Sequence, residues 1–117
     1  MEIGHRFIEN IMVISFYGEF HCEQAEIIEM RIKELVKQAD KIIINCSDLE
    51  YLDSKGLGTL IKINSVIHDQ GAELVLCSVA GKVKKVFELT KFYDYIKIFP
   101  DVSTAHNYYK GQPVERL

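Results

Sequence analysis

The sequence predicts an α/β fold: one domain with a mixed β-sheet and packed α-helices, in the order β-β-α-β-α-β-α-β-α. Two observations predict it. Short β-branched or alternating apolar runs are separated by longer stretches whose apolar residues recur at three- and four-residue steps. Only the first two runs lie close enough for a hairpin. The later ones need crossovers, which pair strands in parallel with a right-handed connection.

Residues 2–8 set Ile3, His5 and Phe7 against Glu2, Gly4 and Arg6, the alternation of a strand with one wet face. Glu9 and Asn10 turn the chain into a second, more continuously apolar strand over 11–17, which Gly18 is expected to end. Residues 22–39 read as an amphipathic helix with Ala25, Ile28, Ile32, Leu35, Val36 and Ala39 on one stripe. Its glutamates (Glu23, Glu26, Glu29) come early and most of its cations (Arg31, Lys33, Lys37) late, the order that complements the helix dipole. A β-branched strand follows at 42–46, then a helix over 54–70 with Leu57, Leu60, Ile61, Asn64 and Ile67 on one side. Gly71 is placed to cap that helix in a left-handed conformation. The pattern continues with a strand at 73–79 and a helix at 82–90 that buries Val83, Val86, Phe87 and Leu89. A strand at 95–99 is stopped by Pro100, and Asp101 caps a last helix through Tyr109. The domain is expected to span residues 1–110, with 111–117, containing Pro113, as a flexible C-terminal tail.

Composition narrows the function classes. The 117 residues are 48% hydrophobic, far above the range of disordered chains, and enough for one core. Fourteen basic against seventeen acidic residues give a net charge of −3, which offers no basic face to nucleic acid. No apolar stretch approaches the roughly 18 residues that cross a bilayer, and the first residues lack a basic-then-apolar signal. A cytoplasmic protein without a membrane partner is the expectation. Cys22, Cys46 and Cys77 are odd in number and widely spaced, which argues against a disulfide scaffold or zinc site and for core thiols in a reducing compartment. Nothing in the pattern asks for a cofactor.

The informative segment joins the strand at 42–46 to the helix at 54–70. Asp53 or Ser54 stands at the N-cap position, where a side-chain oxygen accepts from the first unpaired amides. Gly56 and Gly58 follow in the first turns, each costing on the order of 1 kcal/mol relative to alanine. Close helix–sheet packing or close approach by another molecule would offset that cost. The segment lacks the spacing of a Walker loop or a Gly-x-Gly-x-x-Gly turn. Ser54 as a nucleophile would need a base, and of His5, His21, His68 and His106 only His21 is expected on the same side of the sheet. A serine exposed at a helix start is, however, a good phosphate acceptor for another protein's kinase. The helix dipole tolerates the added charge, and the change is read at the surface.

At these residues the chain resembles the STAS-domain family, and within it the bacterial anti-sigma factor antagonists. Asp53-Ser54-Lys55-Gly56-Leu57-Gly58 matches that family's Asp-Ser-Ser/Ala-Gly-Leu/Ile-Gly signature. Gly18-Glu19-Phe20, the run from Ile44 to Leu49, Gly71-Ala72-Glu73-Leu74 and residues 83–90 extend the likeness over nearly the whole chain. The resemblance implies a STAS-like domain without enzymatic activity, in which Ser54 is phosphorylated by an anti-sigma factor that is also a serine kinase. It implies that the unphosphorylated form binds that kinase and frees a sigma factor for transcription, and that a serine phosphatase resets the switch. It places partner binding at His21, Asp53, Ser54, Lys55, Gly56, Leu57 and Gly58. Monomer or weak dimer is the expected state. Lys55 stands where the family carries a small residue, His21 where many members carry Asp, and Lys91 where Gly is common. Two other readings stay open on the residues alone: a fixed STAS scaffold in a signalling or transport assembly, and a small-ligand or nucleotide-binding STAS domain using the two-glycine turn.

Overall fold

The sheet of the computed structural model, which describes residues 1–111, has five strands in the order β1-β2-β3-β4-β5. These are β1 (Glu2–Ile8), β2 (Ile11–Phe20), β3 (Lys41–Leu52), β4 (Glu73–Cys77) and β5 (Ile98–Phe99). β1 and β2 form the expected antiparallel hairpin, and every later pairing is parallel. The crossovers are α1 (Ala25–Leu35), α2 (Ser54–Asp69) and α3 (Gly81–Leu89), and α4 (Val102–Lys110) follows β5.

The period-2 alternation of the central strands separates two cores. Ile14, Ile42, Ile44, Leu74 and Leu76 face α1, α2 and α3 through Ile28, Ile32, Leu60, Ile63, Val83 and Phe87. Val13, Ile43, Val75 and Cys77 face Ala105 and Tyr109 of α4. Covered on both sides, these strands read as unbroken apolar runs rather than alternating ones. Tyr109 is fully buried with its hydroxyl 2.8 Å from the Ile42 carbonyl and 2.9 Å from that of Glu73, tying α4 to β3 and β4. Burial pushes its phenol well above the ordinary tyrosine range.

Several expectations are corrected. β2 does not stop at Gly18. It passes through it at φ +96 and continues to Phe20, because β3 runs on past Cys46 to Leu52 and pairs with it (Gly18 with Leu49, Glu19 with Tyr51, Phe20 with Leu52). Two register shifts accommodate this extension. The first helix is α-helical only over Ala25–Leu35, with 3₁₀ turns at Cys22–Gln24 and Val36–Gln38 on either side. On α2 the buried stripe includes Ile63, while Asn64 is half-buried and lies 3.5 Å from the Tyr95 carbonyl. Leu89 is 84% exposed, since it lies opposite Phe87 on α3. β4 ends at Cys77, and β5 keeps only two residues because the chain is still turning at Tyr95 and Ile96 after the 3₁₀ turn Phe92–Asp94.

Gly71 does cap α2, at φ +80. Its amide donates to His68 O and that of Ala72 to Ile67 O, the paired bonds of a Schellman motif. Lys91 also adopts a left-handed conformation (φ 57, ψ 34), which is the backbone reason a glycine would suit that position. Of the expected tail, Gly111 ends α4, and residues 112–117 lie outside the described part of the chain.

Candidate functional site

The junction at Asp53 sits where the extended ends of β2 and β3 leave the sheet. Asp53 is extended (φ −92, ψ −177) and is the N-cap of α2. Its Oδ1 accepts from the Gly56 amide at 2.8 Å, and its Oδ2 accepts from the Cys22 amide at 2.9 Å. The second bond crosses from α2 to the turn that precedes α1. One carboxylate therefore holds two helix starts in register, and the Asp53 amide adds a bond to the Phe20 carbonyl at 3.2 Å. Between the two capping alternatives left by the sequence, Asp53 takes the role and leaves Ser54 without it.

Ser54 is the first helical residue and is exposed. Its hydroxyl makes no hydrogen bond among the described residues. His21 does not act as its base: its Nε2 lies 2.6 Å from Glu19 Oε1, and its ring tilts against Tyr51 at 5.7 Å between centroids. His106 lies 3.0 Å from Glu9 Oε1. The arrangement thus presents an unengaged hydroxyl at a helix N-terminus rather than a serine–base pair.

The remaining signature residues divide by direction. Gly56 and Leu57 face inward, Leu57 with 7% exposure in the core and Gly56 against Phe20 and Leu52. Lys55 and Gly58 face solvent beside Ser54. Thr59 is buried and turns its hydroxyl onto the Lys55 carbonyl at 2.9 Å, satisfying itself within the helix. Two partners of this site have no clear mark in the sequence: the Cys22 amide, brought in by tertiary structure, and the Phe20–Leu52 floor beneath Gly56. The one signal pointing to that floor is the glycine itself.

Beside the junction, the end of β3 and the start of α3 enclose an open cleft lined by Glu19, His21, Glu50, Tyr51, Gly81 and Lys82. Two carboxylates against one lysine oppose the phosphates of a nucleotide there. Among the described residues no group of three His, Cys, Asp or Glu side chains is placed to hold a metal ion, and no helix is long and apolar enough to cross a membrane. Cys46 and Cys77 are buried, and burial raises both thiols above their ordinary range, so neither is a ready nucleophile. Cys22 is exposed.

Comparison with known proteins follows the same geometry. The family model described as the STAS domain matches residues 3–105. The anti-sigma F factor antagonist of Paenibacillus polymyxa is 21% identical over 107 residues, covering 90% of each chain. A Thermotoga maritima structure assigned as a candidate anti-sigma factor antagonist superposes with a TM-score of 0.84 at 25% identity, over 92% of this chain and 94% of that one. The Bacillus cell-fate determinant SpoIIAA, solved in its phosphorylated form, shares the fold with a TM-score of 0.69 at 18% identity, over 92% of this chain and 99% of that one.

Proposed function

The chain belongs to the STAS-domain family, and we propose that it is a cytoplasmic anti-sigma factor antagonist switched by phosphorylation of Ser54. In its unmodified form it binds an anti-sigma factor that is also a serine kinase, and so releases a sigma factor for transcription. The kinase transfers the γ-phosphoryl group of ATP to the Ser54 hydroxyl, its own base taking the proton and ADP leaving. A serine phosphatase reverses the modification by hydrolysis. The chain itself performs no catalysis and needs no cofactor.

One observation carries this reading. Asp53 does the capping, so the Ser54 hydroxyl is exposed and unneeded by the fold. Phosphate there sits at the positive end of α2, where an anion is tolerated. It changes the net charge from −3 to about −5 at one spot. Asp53, Glu19 and Glu50 already make this edge acidic, so the added charge raises repulsion toward any partner that is not strongly basic. Lys55 is the nearest cation in sequence and partly offsets that repulsion.

Incubation with the anti-sigma factor serine kinase of the same genome and ATP should add one phosphate, located at Ser54 by intact-mass and fragment analysis. Ser54→Ala should abolish the addition while leaving the fold intact, and Ser54→Asp should weaken binding to the kinase. No added phosphate, or phosphate at another residue, would refute the reading.

A further inference from the structure

We propose that the chain forms a two-fold symmetric homodimer in which β1 pairs antiparallel with β1 of a second copy, in the register that sets Glu2 opposite Arg6 of that copy. The pairing joins the two sheets edge to edge and does not depend on the reading of Ser54.

β1 and β5 are the two edges of the sheet. An edge strand offers unpaired amides and carbonyls to any strand that approaches, and proteins blunt such edges in a few recognisable ways. β5 is blunted by its length of two residues. β1 is not. It runs for seven residues without proline, lysine or a shift in its register with β2. Its outward groups follow from the hairpin. Ile8 and Ile11 close a two-residue turn, so they are a hydrogen-bonded pair. Bonded pairs alternate along an antiparallel ladder. Glu2, Gly4 and Arg6 therefore bond to β2, while the backbone groups of Ile3, His5 and Phe7 point away from it. Among the described residues, no loop or helix backbone takes up those groups.

Self-complementarity names the occupant. A two-fold axis at Gly4 sets Gly4 against Gly4, Ile3 against His5 and Glu2 against Arg6, the last two pairs occurring twice. The Ile3–His5 pairs exchange the free backbone bonds. Glu2–Arg6 falls at the non-bonded positions, where facing side chains come closest, with Cα atoms about 4.5 Å apart. Opposite charges placed there favour a strand pair and like charges oppose it. Glu2 and Arg6 share one face of β1, both are exposed, and neither joins an ion pair among the described residues. Moving the axis to His5 would oppose two histidines and set Arg6 against Gly4, forfeiting both ion pairs. Apolar contact agrees with the register at Gly4. Phe7, 45% exposed, comes to lie diagonal to Ile3 of the second copy. On the other face Tyr17 reaches over Gly4, where a Cβ would stand 3.5 Å from its Cε2, so a tyrosine from each copy flanks the axis.

Sedimentation velocity on the wild-type chain should show a reversible monomer–dimer equilibrium. Glu2→Arg and Arg6→Glu should each weaken self-association at least tenfold, because both ion pairs become like-charge pairs. Mixing the two variants should restore dimers, since one copy then carries both cations and the other both anions. The double variant Glu2→Arg/Arg6→Glu should dimerise as the wild type does. Both positions are exposed, so all four chains should keep the same circular dichroism spectrum. Hydrogen exchange at the Ile3 and His5 amides should slow as wild-type concentration rises. A wild-type chain that stays monomeric at about 1 mM would overturn the proposal. Dimers indifferent to both charge reversals would overturn it by placing the contact elsewhere, and single variants that weaken association without recovery in the mixture would overturn the register. Phosphate addition at Ser54 is read separately by mass, so failure here leaves that reading standing.

Discussion

Replacing Asp53 with alanine removes two hydrogen bonds that tie different helices together. The first is the N-cap bond to the Gly56 amide at 2.8 Å. Loss of such a cap costs about 0.5–2 kcal/mol. The second, to the Cys22 amide at 2.9 Å, is a bond to a charged group at an exposed position. Bonds to charged groups contribute about 1.5–3 kcal/mol when shielded. Here water can take over the Cys22 amide, so about 1 kcal/mol is the appropriate share. Together the loss is roughly 2–3 kcal/mol. At a urea slope of about 2 kcal/mol/M, the unfolding midpoint should fall by about 1–1.5 M. Asp53→Asn keeps one acceptor oxygen and should fall about halfway. Ser54→Ala, which touches neither bond, should stay within about 0.5 kcal/mol of wild type. Urea titration followed by circular dichroism measures these midpoints. Amide spectra of the folded variants should show both the Gly56 and Cys22 signals displaced in Asp53→Ala. A midpoint within about 0.3 M of wild type, or displacement of Gly56 alone, would refute the idea that this carboxylate joins the two helix starts.

Gly56→Ala should destabilise by about 1–3 kcal/mol, read by the same urea midpoints, because a Cβ 3.1–3.3 Å from the Phe20 carbonyl oxygen, Phe20 Cγ and Leu52 Cβ demands a shift of a few tenths of an ångström from atoms that β2 and β3 hold in place. Glu29 should contribute to acid sensitivity. Its carboxyl is held below its ordinary value of 4.5, chiefly by the hydrogen bond from Lys33 (2.7 Å), with Lys62 (3.4 Å) also lowering it. A carboxyl depressed on folding stabilises fully above its unfolded value, and that contribution is lost as pH falls below 4.5 through the lower folded one. Glu29→Gln should therefore narrow the stability difference between neutral and acidic solution. About 1 M salt should narrow it further, because Lys62 is exposed and Lys33 half-exposed. Stability curves for the two proteins that stay parallel from pH 6 to pH 3 would contradict this.

The elements legible in the sequence are those whose signal is local. The hairpin, the four helices and the Gly71 cap follow from apolar period, turn residues and one left-handed position. The misplaced boundaries share a cause. Neither Gly18-Glu19-Phe20 nor residues 47–52 carries a run of strand-forming residues long enough to read as a strand alone, and each is extended because the other pairs with it. The sequence places Leu89 on the buried face and leaves Ile63 off it because a helical stripe shows which residues lie together but not where the neighbouring helix and sheet cut it off. At the site, the signature marked Asp53, Ser54 and the glycines as a group. It could not separate those that look inward from those that face solvent.

What the sequence by itself determined is therefore the alternation of strands and helices, the family, and the signature segment on which the proposed switch is built, since these depend on residue type and spacing along the chain. Tertiary structure alone decided the division of labour within that segment. Asp53 caps because the backbone leaves β3 extended at that residue, and its second oxygen finds Cys22 because the paired ends of β2 and β3 place that turn alongside. Gly56 is pressed onto Phe20 while Gly58, half a helical turn on, meets open space. That difference of roughly 200° around α2 is invisible in a Gly-Leu-Gly triplet. It assigns one glycine to the fold and leaves the other facing solvent.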